Sequence, residues 1–176
     1  MDIKTIVKVT SKAWALDILA TLHQGTPARR AALVHATGAG RTALSASLHH
    51  LLELELLETN PGHGHPLRPE FRLTAQGKKV ASMAHKVKLA ALEPSAQKLL
   101  RKVWTLPILA VSKDPRYFVQ IKSALPSITD RALSQSLKQL QAQRLVVRKV
   151  QTQTYPPRTQ YHAVHSGEKI SSAVGL

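Results

Sequence analysis

Residues 125–140 read LPSITDRALSQSLKQL, and this stretch contains the pattern that decides the fold. Its last three leucines recur at helical spacing, so they form one apolar stripe on an amphipathic helix. Pro126 disfavours helix at the residue before it, and Thr129 is a residue type that caps a helix N-terminus through its hydroxyl. The stretch therefore predicts a turn followed by a helix with one buried face.

The flanking segments extend this pattern to a winged helix-turn-helix. Phe118, Ile121 and Leu125 lie at i, i+3 and i+7, which predicts a helix before the turn. Two β-prone runs follow, at 145–150 and 159–164, separated by a polar, proline-containing segment. They predict a hairpin, the wing, with prolines at its tip or edge because a central strand would lose a ladder hydrogen bond at each one.

The chain contains this unit twice. Residues 12–20, KAWALDILA, return as residues 102–110, KVWTLPILA, and the leucine-serine helix at 44–51 returns at 133–140. A break at Glu93-Pro94-Ser95 separates the copies, with Ala96 beginning the helix that leads to Trp104. The sequence predicts two domains, 1–93 and 94–176. The expected fold class is mainly α with small β-hairpin wings (α+β), as two tandem winged helix-turn-helix units forming a pseudo-dimer.

The amino-acid composition limits the classes of function and partner that the chain can have. The 176 residues carry 25 Lys and Arg against 10 Asp and Glu, for a net charge of +15, which favours a polyanionic partner such as nucleic acid. The absence of Cys excludes disulfides, thiolate nucleophiles and Cys-ligated zinc. No apolar run approaches a membrane span, so we expect a cytoplasmic, nucleoid-associated protein without membrane partners. Few carboxylates and no catalytic motif predict a protein that is not an enzyme.

The second unit resembles the HxlR-type winged helix-turn-helix regulators of bacteria and archaea. The residues that carry the resemblance are Lys102 to Leu109, Arg116-Tyr117-Phe118, Leu125 to Ile128, Leu133 to Leu140, Leu145 to Arg148 and Pro156 to Tyr161. The first unit, roughly residues 8–88, is a diverged copy. The resemblance implies a DNA-binding regulator. Because single-unit members of that family pair as homodimers, this chain resembles a dimer fused into one polypeptide.

Candidate DNA contacts lie on the recognition helices, the second helices of the two motifs, and on the wings. They are Arg131, Ser134, Gln135 and Lys138 in the second helix, Arg41, Thr42, Ser45 and His49 in the first, and Arg68 and Arg158 in the wings. An Arg can read guanine and a Gln can read adenine through bidentate hydrogen bonds, whereas Lys138 is expected to meet a phosphate. Because Ala46 matches Gln135 and His49 matches Lys138, we expect an imperfect palindrome or an asymmetric site.

Each of these residues has a plainer interpretation as part of a solvated helix face. Arg72 and Arg148 are either DNA contacts or strand cations that hold a carboxylate. Trp14 and Trp104 are interpreted as core or interface residues rather than a stacking platform for bases. The histidines at 49, 50, 63 and 65 do not make a convincing metal site, since adjacent helical residues point about 100° apart. No cofactor or metal is predicted.

These patterns favour a sequence-specific, double-stranded DNA-binding transcriptional regulator, most simply a repressor. The alternatives are an architectural or replication and segregation DNA-binding protein with little sequence specificity, and a protein-docking module. An unknown small-molecule effector is a further partner, with a pocket expected between the units near the two tryptophans and the helix at 75–92. The oligomeric state is either a monomer acting as a pseudo-dimer or a homodimer.

Overall fold

The computed structural model describes residues 1–65, 68–152, 155 and 157–176, with side chains for all of these except 62–65 and 68. The first half contains α1 (Ile3–Thr10), α2 (Ala15–His23), α3 (Arg30–Thr37), α4 (Arg41–Glu53), β1 (Leu57–His65), β2 (Arg68–Leu73) and α5 (Ala75–Ala90). The second half contains α6 (Pro94–Leu99), α7 (Thr105–Val111), β3 (Arg116–Tyr117), α8 (Phe118–Ala124), α9 (Asp130–Ala142), β4 (Val146–Gln151), β5 (Arg158–Ala163) and α10 (Ser166–Val174). The fold is mainly helical with small antiparallel sheets, and the winged helix-turn-helix occurs twice, as predicted.

The two helix-turn-helix turns use different residues to begin the recognition helix. In the second unit the Thr129 hydroxyl accepts a hydrogen bond from the Ala132 backbone N–H at 3.2 Å, as its position predicts. In the first unit Gly38 ends α3 in the left-handed conformation with φ of 70°, and Gly40 is an N-cap without a side chain. In both units the result is a helix of 13 residues, α4 or α9, with three buried leucines.

Each wing is an antiparallel hairpin. β1 pairs with β2 from Leu57 opposite Leu73, and β4 pairs with β5 from Val146 opposite Ala163. In the second unit β3 adds a third strand beside β5, whereas the described part of the first unit has only an isolated bridge between Arg29 and Glu70 at that place. Pro66 and Pro156, which the sequence places at the wing tips, lie outside the described residues.

The expected helix from Ala96 to Trp104 is wrong in its length. Helix α6 ends at Leu99, and Trp104 is instead the N-cap of α7, as Trp14 is of α2. Pro107 is compatible with this start because a residue in the first turn of a helix needs no intrahelical acceptor for its nitrogen. Both tryptophans are partly buried against the apolar core.

A glycine in each unit sets how closely the C-terminal helix approaches the root of the wing. A Cβ atom at Gly77 would lie 1.9 Å from the Leu56 carbonyl oxygen, and one at Gly167 would lie 2.0 Å from the Leu145 carbonyl oxygen. No side chain fits at either place, because the obstructing atom is backbone that other hydrogen bonds hold in place. The two units are therefore built around the same close contact.

The two units pack on one another through a continuous apolar core. Helix α5 of the first unit lies against α10 of the second, and α1 lies against α7. The Thr10 hydroxyl donates a hydrogen bond across the junction to the Val103 carbonyl at 2.8 Å.

Helix α1 is capped by Asp2, whose pKa is lowered because its carboxylate accepts a hydrogen bond from the Thr5 backbone N–H.

A buried carboxylate adds an asymmetric contact to the same junction. Asp17 on α2 is 7% exposed and pairs with Lys88 on α5 and with Arg101, whose Nε lies 3.2 Å from Asp17 Oδ2. The Arg101 guanidinium also lies 3.8 Å above the centre of the Trp14 ring. In the second unit the position of Asp17 is taken by Pro107, so this network exists on one side only.

Candidate nucleic-acid interface

The recognition helix of the second unit, α9, presents a free polar stripe. Arg131, Ser134, Gln135 and Lys138 are all exposed and lie at i, i+3, i+4 and i+7. They therefore share one face and extend about 10 Å along the helix. Within the described structure none of the four side chains has a hydrogen-bond or ion-pair partner, so all four are available to an external ligand.

The start of α9 carries an ion pair that the sequence analysis did not identify. Lys122 Nζ on α8 lies 2.8 Å from Asp130 Oδ1, and both side chains are largely exposed. Asp130 is favourable at a helix N-terminus, where the peptide dipoles place partial positive charge. Lys122 offsets the negative charge that a phosphate would otherwise meet there. The pair spans two helices, so no local spacing in the sequence indicates it.

The corresponding face of α4 in the first unit is partly occupied by its own neighbours. Arg41 and Thr42 are exposed, as expected. The Ser45 hydroxyl, however, accepts a hydrogen bond from Arg30 Nη1 at 3.1 Å, and His49 Nε2 lies 3.3 Å from Glu53 Oε1. The first stripe therefore has fewer free polar groups than the second.

Arg30 is a cation beside the recognition helix that the sequence analysis missed. It begins α3, and its neighbour Arg29 forms an ion pair with Glu70 at 2.8 Å. The available signal was the Arg29-Arg30 doublet, which opens the first helix of the motif. In the second unit Tyr117 and Phe118 occupy the matching places, so comparison of the repeats did not draw attention to it.

The wings present several exposed cations, which differ in their partners. Arg158 is exposed, and its guanidinium carbon lies 5.8 Å from the centre of the Tyr117 ring. The Arg68 backbone pairs with that of His65, and the structure does not describe the Arg68 side chain. Arg72 binds Glu58, with Nε 2.7 Å from Oε1, which supports its interpretation as a strand cation holding a carboxylate. Arg148 donates instead to the Thr159 hydroxyl at 3.2 Å.

The histidines of the first unit are dispersed among other roles. The ring nitrogen Nε2 of His50 lies 2.8 Å from the Lys8 carbonyl and so links α4 to α1. The structure does not describe the side chains of His63 and His65. Over the described residues no group of three potential metal ligands comes together. The same portion of the chain holds no helix long and apolar enough to cross a membrane.

Two helix-turn-helix motifs, each followed by a wing and carrying an exposed polar stripe on its second helix, define a duplicated winged-helix DNA-binding protein. The model of the HxlR-like helix-turn-helix family matches the chain twice, over residues 9–92 and 99–175, and the protein belongs to this family. The resemblance drawn from the residues is thereby confirmed. The family places the chain among DNA-binding transcription regulators.

Other comparisons add little to this assignment. No curated protein matches the chain. A crystal structure of a MarR-family protein from Porphyromonas gingivalis is 26% identical over 45% of this chain and 78% of that chain, with a TM-score of 0.41.

Proposed function

We propose that one chain binds an asymmetric duplex site with both recognition helices and both wings, and represses transcription by occupying a promoter. Residues 1–93 and 94–176 each act as one DNA-binding domain in this proposal. The observation that carries it is the unequal pair of stripes, on α4 and α9, held on one packed scaffold. Equal stripes would favour a palindrome, whereas these favour two unlike half-sites.

The second unit supplies most of the base discrimination in this scheme. Arg131 and Gln135 are free and lie in the N-terminal half of α9, the part that meets base edges in helix-turn-helix complexes. Arg131 pairs with guanine, Gln135 with adenine and Lys138 with a phosphate. Arg158 follows the backbone beside the groove.

The first unit supplies mainly backbone contacts. Arg41, Thr42 and, in the wing, Arg68 contact phosphates, and Ser45 and His49 reach DNA only by exchanging their present partners. Such contacts position the protein and carry little sequence information. We therefore expect the sequence specificity to be higher at the half-site bound by the second unit than at the half-site bound by the first.

Selection from a random duplex pool tests the proposal. We expect a motif with two unlike halves about 10 base pairs apart, one of them more degenerate. Arg131→Ala should weaken the strict half about tenfold and relax its sequence. Arg41→Ala should weaken all sites alike and reduce the salt dependence, as loss of a phosphate contact does.

The selection also separates this function from its alternative. Recovery of no motif, with binding that only fades as salt rises, would contradict sequence-specific regulation and favour an architectural role. Occupancy across the genome gives the second distinction, because a repressor occupies a few promoters and an architectural protein occupies many dispersed sites. Cytoplasmic, nucleoid-associated localisation and regulation by an effector belong to the same proposal.

A further inference from the structure

A groove lies at the same place in both units, between the end of the recognition helix, the first wing strand and the start of the C-terminal helix. The first-unit groove has a volume of about 620 Å³ and is lined by Leu52, Glu55, Leu57, Glu58, Thr74, Ala75 and Gln76. The second-unit groove has a volume of about 520 Å³ and is lined by Gln141, Arg144, Val146, Val147, Arg148, Lys149, His162, Val164 and His165. Both are surface grooves that remain largely open to solvent.

The two grooves have opposite charge. Glu55 in the first is replaced by Arg144 in the second, and Glu58 is replaced by Val147. Lys149 adds a further cation to the second groove, and no carboxylate is among the described residues that line it. Arg144 and Lys149 have no hydrogen-bond or ion-pair partner in the described part of the chain. Neither cation is ion-paired there, and the carboxylate of Glu93 lines a neighbouring hollow with Arg144.

Two local features of the second groove remain unexplained by the fold. The Nδ1 atom of His162 is buried without a hydrogen-bond partner among the described residues, and such a group calls for a partner from outside the chain. His165 has a φ of 51° and ψ of −123°, a strained backbone for a residue with a side chain. Its counterpart in the first unit, Ala75, has no positive φ. Strain of this kind is common where a protein holds a ligand.

We propose that the second-unit groove binds an organic anion with an apolar body. The anionic group pairs with Arg144 and Lys149 at the rim, and the apolar body lies on Val147 and Val164. The first-unit groove rejects the same ligand, because Glu55 repels the anion. This site differs from the pocket that the sequence analysis expected between the units.

The groove lies away from the face of α9 assigned to DNA. Arg144 follows the end of that helix, about 20 Å along the axis from Arg131. A ligand here contacts both the last turn of the recognition helix and the root of the wing, so it can change their relative position. That consequence for DNA binding rests on the proposed function, whereas binding of the anion does not.

The test titrates the full-length protein with 2-naphthoate in the absence of DNA and uses 2-naphthalenemethanol as an uncharged match. Isothermal calorimetry gives the affinity, and shifts of backbone amide resonances give the place. We expect saturable binding of the carboxylate, shifts centred on Val147, His162 and Val164, and binding of the alcohol weaker by about tenfold or more.

Variants locate the interaction. Arg144→Glu installs the residue of the first-unit groove and should weaken naphthoate at least about tenfold. Lys86→Glu makes the same change of net charge on α5, on a side chain that lines neither groove, and should leave the affinity unchanged. Equal losses in the two variants, shifts centred elsewhere, equal affinity for the alcohol, or no saturation would each overturn the proposal. None of these results depends on whether the protein recognises a DNA sequence.

Discussion

The two units share a backbone scaffold and differ in the side chains that this scaffold presents to solvent and to the junction between the units. Both pack a glycine against the root of the wing, both bury three leucines of a 13-residue recognition helix, and both place a tryptophan as the N-cap of the matching helix. Their exposed stripes, their grooves and their sides of the junction differ in charge and in partners. Duplication here keeps the positions that fill the core of each unit and changes exposed positions and the ion pairs at the junction. Substitutions in matched pairs can test this division.

The largest expected effect concerns a feature that the two units share. Gly77→Ala and Gly167→Ala should each lower the free energy of unfolding by about 3 kcal/mol, because the added Cβ meets a backbone carbonyl that cannot move aside. Urea denaturation of the full chain measures both. Gly40→Ala, at a site with no atom within 4 Å of the new Cβ, is the control and should cost less than about 1 kcal/mol. A large loss in only one unit would show that the scaffolds are not equivalent.

The next effect concerns a feature on one side only. Asp17→Ala should cost about 2 kcal/mol, because it leaves two partly buried cations, Lys88 and Arg101, without their carboxylate. The matched control is Asp130→Ala, which breaks the exposed pair with Lys122 and should cost less than about 1 kcal/mol. Thermal and urea unfolding measure both changes. Similar losses in the two variants would mean that the buried network stabilises the junction no more than an exposed ion pair does.

The smallest effect concerns the two helix starts. Thr129→Ala removes the hydroxyl that caps α9 and should cost about 1 kcal/mol. Gly40→Ser supplies a hydroxyl at the matching place in the first unit and should stabilise it by a few tenths of a kcal/mol. The two variants should change the free energy of unfolding in opposite directions, and urea titration of both variants measures this. A loss of stability from Gly40→Ser would mean that the first turn cannot accept the cap geometry of the second.

The sequence was sufficient for features that depend on neighbours along the chain. Helical spacing gave the leucine stripe of α9, the residue type at 129 gave its cap, and similarity between the halves gave the duplication. These features were predictable because a periodic pattern or a turn residue acts within a few positions.

Features that depend on distant partners were not predictable in this way. Strand β3 has only two residues, too few for an alternating pattern to show. The hydrogen bond from Arg30 to Ser45 and the network around Asp17 join segments that meet only in the folded chain. The opposed grooves likewise become visible only when Glu55 and Arg144 are seen to occupy one place in two copies of the fold.

The contact between α5 and α10 makes the pairing of the two units independent of the protein concentration. Because the two helices belong to one polypeptide, their association follows a fixed local concentration and does not weaken on dilution. A homodimer of separate units must instead assemble by mass action and falls apart below its dissociation constant. Every copy of this chain therefore carries two recognition helices in a ratio of one to one, even when a cell holds only a few molecules.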